Sequence, residues 1–233
     1  QLGVRTDSGD SDGNVIQKTA VPTLSSAQIL AVIELFKGET EQIPPMHSAL
    51  KKDGVPLYKL AHQGKSIDRE PRKITIGQLD FTGRDGDFLE FFVRCSKGTY
   101  IRTLIEDIAS KLGCGAHVVD LRRLMVGPFD TSLGVGASKM YSLDNLQRLA
   151  SSTDDLHKCL LDIDCALVDW PKVDLGKEAS YFVQQGQTVF VSNVSGDGLV
   201  RLYTHEGDFL GVGELHKDGK ISPKRLMVTA KIG

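Results

Sequence analysis

A strand, a glycine break and a helix follow one another directly between Phe88 and Leu112, and this succession constrains the fold more than any other feature. Residues Phe88 to Cys95 alternate as a β-strand does. Both of its faces carry large apolar side chains, so we predict a central strand. Lys97-Gly98 then breaks the strand, and Thr99 is the predicted cap of a helix that runs to Leu112. Such junctions project side chains from the end of a sheet, where mixed α/β folds bind ligands.

The predicted helix has an apolar stripe and an arginine that lies off it. The stripe consists of Ile101, Leu104, Ile105, Ile108 and Leu112. Arg102 lies in the first turn, where the positive end of the helix dipole disfavours a cation. This misfit suggests a carboxylate or phosphate partner for Arg102, although spacing alone favours an ordinary surface arginine.

Three residues could contact a nucleic acid. Tyr100 could stack against a base or pack in the core, and Lys97 and Lys51 could position phosphates or be solvated. Signatures of other chemistry are missing from the sequence. It contains no Gly-x-Ser-x-Gly, no cysteine in an obviously activating histidine setting, and no phosphate-binding or dinucleotide-binding glycine pattern.

The N-terminal part predicts loops and then a capped helix. Residues 5–22 are rich in Asp, Gly and Ser, which favours turns. Ser25 with Gln28 three residues later is a capping-box pattern, and the apolar residues that follow repeat at helical spacing.

The C-terminal part has a different pattern. Acidic residues and Trp170-Pro171 interrupt the periodicity, so we predict a first domain of residues 1–167 and a second of residues 168–233. One helix, Lys177 to Gln185, and several short turn-linked strands predict a small β-rich barrel or sandwich. The fold class expected for the whole chain is α+β.

Composition argues against a membrane-spanning or secreted protein, and the distribution of charge leaves RNA binding open. The net charge is −2, but residues 51–73 contain seven basic and three acidic residues, and residues 94–123 contain six and three. Such local excesses suit RNA, although solvated surface lysines would explain either one. The chain has no apolar run of about 18 residues and no secretion signal, so we expect a cytoplasmic protein without a membrane span. The four cysteines lack metal-ligand spacing, so no metal site is expected.

Four longer segments resemble motifs of the TruB family of bacterial tRNA pseudouridine synthases, in order and in spacing. They are Leu2 to Gly13 (LGVRTDSGDSDG), Gln42 to Lys51 (QIPPMHSALK), Cys95 to Leu104 (CSKGTYIRTL) and Leu112 to Leu124 (LGCGAHVVDLRRL). Residues 168–233 resemble the PUA-like RNA-binding domain that ends many of these enzymes. The resemblance covers essentially the whole chain.

The resemblance implies a pseudouridine synthase catalytic domain with a mixed or antiparallel sheet, followed by a small PUA-like barrel. It also implies isomerisation of a uridine in the T-loop of tRNA, at position 55, without cofactor or metal. The implied partner is the T-arm of tRNA, bound by a monomer. In the family the target base is flipped out of its stack, as enzymes that act on bases require.

The family's chemistry assigns roles to residues of the matching motifs. An aspartate acts as nucleophile, and Arg102 would hold its carboxylate. Tyr100 and Leu121 would line the uracil pocket, and Lys51 would lie near the substrate. Lys97 and Arg122 are the residues that we expect to contact RNA.

One departure from the family is important. The nucleophile belongs to a Gly-x-Leu-Asp-Pro-x-Ala-x-Gly motif that should precede Leu2, and the sequence does not contain it. We therefore expect an N-terminally truncated portion of the enzyme that is inactive alone. The alternative is a non-catalytic module that binds or folds tRNA. A third possibility, the catalytic subunit of a guide-RNA particle, is disfavoured by the absence of basic tails.

Overall fold

The computed structural model describes residues 1–130, 141–151, 156–192 and 194–227, and the chain divides into two compact units at Leu121. Each unit combines helices with sheets, which confirms the α+β class. The predicted domain boundary between residues 167 and 168 stays a prediction. Within the described ranges, each helix is too short or too polar to cross a lipid bilayer.

The first unit begins with an antiparallel pair, β1 (Val4–Thr6) and β2 (Val15–Lys18), where the sequence predicted only loops. That prediction was wrong because backbone groups rather than a side-chain pattern define the pair. Gly3 donates its N–H to the carbonyl of Gly115, more than a hundred residues away, and Thr19 donates to Gly3. Composition does not reveal such contacts.

Helix α1 (Ser26–Glu34) confirms the predicted capping box. The Ser25 hydroxyl accepts a hydrogen bond from the backbone N–H of Gln28 at 3.3 Å, and the Gln28 side chain accepts one from the N–H of Ser25 at 2.8 Å. The helix buries Ile29 and Ile33 completely.

The main sheet of this unit contains β3 (Gly38–Gln42), β6 (Arg72–Asp85) and β7 (Phe88–Cys95), antiparallel in the order β3-β6-β7. Between β3 and β6 the chain forms the small hairpin β4 (Lys51–Lys52) and β5 (Val55–Pro56), followed by helix α2 (Leu57–His62).

The prediction of a central strand at Phe88 to Cys95 was wrong. Among the described residues β7 lies at the edge of its sheet, and β6 is central. Phe88 and Phe92 are 45% and 38% exposed on one face, whereas Leu89, Phe91 and Val93 on the other face pack against the core. Alternation shows which residues share a face, but it does not show how many strands lie alongside.

Helix α3 (Ile101–Lys111) packs against this sheet and α1, and buries Leu104 and Ile108. Its N-cap is Tyr100 rather than the predicted Thr99, and Tyr100 makes no side-chain cap bond. The Thr99 hydroxyl instead lies 3.4 Å from that of Ser96, so it is turned toward the preceding loop.

The second unit begins with the hairpin β8 (Met125–Val126) and β9 (Phe129–Asp130) and helix α4 (Leu143–Leu149). A 3₁₀ helix, Ile163–Leu167, precedes β10 (Lys172–Asp174), helix α5 (Lys177–Gln184) and β11 (Val189–Phe190). Strands β12 (Gly198–Tyr203), β13 (Phe209–Leu215) and β14 (Lys220–Leu226) complete a sheet of order β10-β12-β13-β14-β11. The β10–β12 pair is parallel and the other pairs are antiparallel.

The sheet of the second unit is tied to the acidic segment before it. The Arg201 guanidinium donates to the carbonyl of Trp170 at 3.0 Å and lies 3.5 Å from the Asp164 carboxylate. The hydroxyl of Tyr203 also donates to Asp164. Burial and this hydrogen bond raise the pKa of Tyr203 to about 12, so the phenol stays protonated as a donor.

Candidate active site

The turn between β7 and α3 is held in place by the neighbouring strand. Ser96 donates its N–H to the carbonyl of Thr75 at 2.8 Å, and its hydroxyl accepts the N–H of Thr75 at 2.9 Å. Gly98 then takes a φ of 86°, which a residue with a side chain adopts only with strain. The chain thereby reverses from strand into helix within five residues, and Tyr100 and Arg102 lie at the start of that helix.

Arg102 forms an ion pair with Asp10. Its Nη2 lies 2.8 Å from Oδ2 of Asp10, and the arginine side chain is 41% exposed. The sequence predicted an anionic partner for a first-turn arginine, and the carboxylate of Asp10 meets that expectation within this chain. A guanidinium has five N–H donors, so a single ion pair leaves donors for a second anion.

The loop that carries Asp10 is fixed at both ends and packs directly on α3. Val118 donates its N–H to Gly9 at 2.9 Å, and Ser11 donates to Val118 at 2.9 Å. The buried Thr6 hydroxyl donates to the carbonyl of Asp10 at 2.7 Å. Gly9 has a φ of 71°, and a Cβ atom there would lie 3.2 Å from the Cβ of Arg102. Glycine therefore permits both the turn and the close approach.

A second group of charges lies one turn further along α3. Arg5 lies 3.7 Å from the Glu106 carboxylate. Burial raises the pKa of Glu106 above its usual value despite this arginine, and burial likewise raises the pKa of Asp107. In the loop, the hydrogen bond from the Asn14 side chain lowers the pKa of Asp7. Helix α3 thus meets Arg5 of β1 through Glu106 and Asp10 of the following loop through Arg102.

A basic cleft lies on the other side of the junction. It has a volume of about 170 Å³, and its lining residues are Leu50, Arg72, Lys73, Ile74, Lys97, Gly98 and Tyr100. Three of these are cations and one is an aromatic residue, a combination that suits a phosphate with a neighbouring base.

Three family models match consecutive parts of the chain. The TruB family pseudouridylate synthase N-terminal domain matches residues 1–101, and the tRNA pseudouridylate synthase B C-terminal domain matches residues 102–168. A further C-terminal model of pseudouridine synthase II TruB matches residues 171–227. The tRNA pseudouridine synthase B of Ectopseudomonas mendocina (strain ymp) is 42% identical over 229 residues, which cover 98% of this chain and 73% of the relative. The chain belongs to the TruB family.

A second TruB relative and two solved structures extend this result. The tRNA pseudouridine synthase B of Shewanella sp. (strain ANA-3) is 43% identical over 239 residues, covering 98% of this chain and 73% of that protein. The fold resembles that in the crystal structure of a Cbf5-Nop10-Gar1 complex, with a TM-score of 0.68 and 22% identity. It also resembles that in an H/ACA RNP bound to a substrate RNA containing 2'-deoxyuridine, with a TM-score of 0.64 and 21% identity. The match covers 88% of this chain but only 63% and 62% of those chains, and at such identity it shows the fold alone.

The structure brings some of the predicted site residues of this TruB protein together. Arg102, Tyr100 and Lys97 lie within one junction, and the last two line the same cleft. Lys51 begins the exposed strand β4, directly after the cleft residue Leu50. Leu121 is 55% exposed and lies three residues after Val118, which pairs with the Asp10 loop.

Arg122 is the first residue of the second compact unit, whereas the other predicted site residues belong to the first. It is exposed, as an RNA-contacting arginine has to be. The roles of all six residues, Arg102, Tyr100, Leu121, Lys51, Lys97 and Arg122, stay predictions.

Two contacts of the candidate site were not predicted from the sequence. Asp10 was interpreted as part of a loop motif, although it is the ion-pair partner of Arg102. Gln42 was noted only as the start of a motif, although its side chain binds the backbone of Tyr100. Both residues belong to segments that resemble family motifs, so the sequence indicated that the segments matter. Which residues Asp10 and Gln42 contact across the fold can be read only from the coordinates.

Proposed function

We propose that the full-length protein isomerises a uridine of tRNA to pseudouridine, and that its target is position 55 in the T-loop. The observation that carries the proposal is the position of Arg102 and its ion pair. Arg102 is held at 2.8 Å by Asp10 at the start of α3, in a chain that belongs to the TruB family. The relatives named above are tRNA pseudouridine synthases, which favours tRNA as the substrate.

In the proposed reaction the target uridine leaves its stack and enters a pocket lined by Tyr100 and Leu121. An aspartate carboxylate attacks C1′ of the ribose, and the glycosidic bond to N1 breaks with its electron pair leaving on the uracil. The uracil rotates, its C5 bonds to C1′ and displaces the aspartate, and C5 loses a proton while N1 gains one. The reaction is an isomerisation, so atoms and electrons balance without a cofactor or metal.

Arg102 pairs with the carboxylate of that nucleophile in this proposal, and Asp10 orients Arg102. The exposed fraction of the Arg102 side chain and its remaining N–H donors support a second carboxylate partner. A fixed guanidinium keeps the nucleophile ionised and aimed at the sugar, which is the kind of preorganisation on which catalysis depends.

RNA binding is assigned to the basic cleft and to the second unit. Lys97 and Lys51 would contact phosphates of the T-arm near the cleft, and Arg122 would add a contact from the second unit. Residues 168–233 would act as a PUA-like RNA-binding domain. We further propose that the enzyme acts as a monomer in the cytoplasm.

We also propose that residues 1–233 bind tRNA but do not modify it. The sequence contains no Gly-x-Leu-Asp-Pro motif, so it has no aspartate in the family's nucleophile position. Asp10 does not take that role in our proposal, because it belongs to the Leu2 to Gly13 motif and not to the family's nucleophile motif.

The test is tritium release from tRNA labelled at the uracil C5 position, with the full-length protein and its Arg102→Ala variant. We expect turnover to fall on the order of 100-fold or more, as for the loss of a preorganised charge at a reaction centre, with tRNA affinity retained. The control is Lys111→Ala at the far end of α3, which should leave turnover unchanged. Equal turnover in Arg102→Ala would contradict the role of Arg102. Binding without any turnover by the full-length wild type would favour the non-catalytic module.

A further inference from the structure

Gln42 makes two hydrogen bonds to the backbone of Tyr100 that no local sequence pattern announces. Its Oε1 accepts the N–H of Tyr100 at 2.8 Å, and its Nε2 donates to the carbonyl of the same residue at 3.1 Å. The two residues are 58 positions apart in the sequence, and Gln42 is only 5% exposed. A buried amide whose acceptor and donor both bind the backbone of one residue makes a specific contact.

The contact fills a gap in the capping of α3. Tyr100 is the N-cap of this helix and its side chain makes no cap bond. The backbone N–H groups at a helix start have no acceptor within the helix. In a capping box a Gln or Glu three residues downstream accepts the N–H of the N-cap residue. Gln42 takes that place from the end of β3.

We propose that Gln42 is a positioning residue for the uridine pocket, acting through Tyr100. The proposal rests on the function proposed above, in which Tyr100 is a wall of that pocket. By binding both the N–H and the carbonyl of Tyr100, Gln42 holds the two peptide groups that flank this residue and so sets the direction of its side chain. It also sets the register of the first turn of α3, which carries Arg102.

The site requires an amide of this length. It needs one acceptor and one donor at the same time, and an ionised carboxylate offers only acceptors. An asparagine is one methylene shorter and a leucine has neither group. The carbonyl of Tyr100 also accepts the N–H of Leu104 at 3.0 Å, so displacement of Tyr100 would disturb the first helical bond of α3.

The surroundings of Gln42 make a carboxylate there unfavourable. A small cavity of about 30 Å³ beside it is lined by apolar side chains and by the acidic residues Glu41 and Asp107. Arg72 is the cation that pairs in register with Gln42 on β6. Burial, the two acids and the Tyr100 carbonyl all raise the pKa of a carboxyl group introduced at this position, and Arg72 opposes them.

The chain provides a matched control at α1. Gln28 accepts the N–H of Ser25 at 2.8 Å, the same distance as in the Gln42 contact, but α1 carries none of the proposed site residues. Gln28→Leu and Gln42→Leu therefore remove an equivalent bond from two helix starts. The experiment measures single-turnover rate and tRNA affinity of both variants in the full-length protein, together with their thermal stability.

We expect Gln42→Leu to slow single turnover on the order of 100-fold, the effect of a misplacement of about 1 Å at a reacting site, with tRNA affinity retained. Gln28→Leu should leave the rate unchanged. Equal rates in the two variants, or a loss of rate that follows thermal stability in both, would overturn the proposal.

Gln42→Glu supplies a second readout that a merely structural role would not move. The protonated acid can both accept from and donate to Tyr100, whereas the ionised form cannot donate. The rate of Gln42→Glu relative to wild type should therefore fall as the pH rises above the ordinary carboxyl pKa of about 4.3. A ratio independent of pH would contradict the proposal, and this variant decides the matter if Gln42→Leu does not fold.

Hydrogen exchange separates this proposal from the proposed function. The backbone N–H of Tyr100 should exchange faster in Gln42→Leu than in wild type and in Gln28→Leu. If wild type shows no turnover, the proposed function fails, and exchange at Tyr100 still tests the contact. If turnover is normal but the exchange of Tyr100 is unchanged in Gln42→Leu, the positioning role fails alone.

Discussion

Helices α1 and α3 begin with the same kind of hydrogen bond, but its acceptor is local in α1 and comes from another strand in α3. In each helix a glutamine side chain accepts the N–H of the N-cap residue at 2.8 Å. For α1 the acceptor is Gln28, three residues away, and a serine hydroxyl completes the box. For α3 the acceptor is Gln42, at the end of a distant strand.

This difference separates a structural helix from one that carries a site. The start of α1 can form from local contacts alone, so it needs nothing from the rest of the fold. The start of α3 is defined by β3 through Gln42 and by the β1–β2 loop through Asp10. The orientation of Tyr100 and Arg102 therefore depends on three segments that meet only in the folded protein.

The largest expected effect concerns what the two helices share. Both bury an aliphatic side chain almost completely, Ile33 on α1 and Leu104 on α3. Replacement of either by alanine should lower the free energy of unfolding by about 2–5 kcal/mol, because lost burial and a cavity add together. Urea unfolding of both variants measures this. If only one of the two variants lost unfolding free energy, the two helices would differ in their packing as well as in how they begin.

A smaller effect should distinguish the two starts directly. Ser25→Ala removes the local cap of α1 and should cost about 1 kcal/mol of unfolding free energy. Thr99→Ala is the matched change near α3, and it should cost less than about 0.5 kcal/mol because Thr99 does not cap that helix. The measurement is again urea unfolding. A larger loss in Thr99→Ala than in Ser25→Ala would break the comparison.

The smallest expected effect is a dependence on pH at α3. Burial raises the pKa of Glu106, so the folded protein keeps this proton over a range in which the unfolded chain has released it. The free energy of unfolding should therefore decrease as the pH rises from about 4.3 through the raised value. Glu106→Gln should flatten this slope in urea titrations across that range. An unchanged slope in Glu106→Gln would show that this carboxyl group is not its cause.

The sequence predicted those parts of the fold whose physical cause is local. The Ser25–Gln28 box and the apolar stripe of α3 both follow from contacts within a few residues, and both are confirmed. Thr99 shows the limit of such reasoning. A threonine before an apolar stripe is a good cap on its own, but its hydroxyl contacts Ser96.

The site itself was predicted only in part. The misfit of an arginine in a first helical turn indicated an anionic partner for Arg102, but several aspartates were available. Asp10 was selected by the packing of its loop on α3, where Gly9 allows an approach that a side chain would block. The edge position of β7 was likewise missed, because alternation defines faces and not neighbours.

The sequence by itself determined the α+β class, the capped start of α1, the strand-to-helix junction and, through its motifs, the TruB family. Periodicity and capping act over three or four residues, so they can be deduced without coordinates. Only the tertiary structure decided how α3 begins and what holds Arg102. Those contacts join Gln42 to Tyr100 and Asp10 to Arg102 across 58 and 92 residues, and chain folding alone brings them within hydrogen-bond distance.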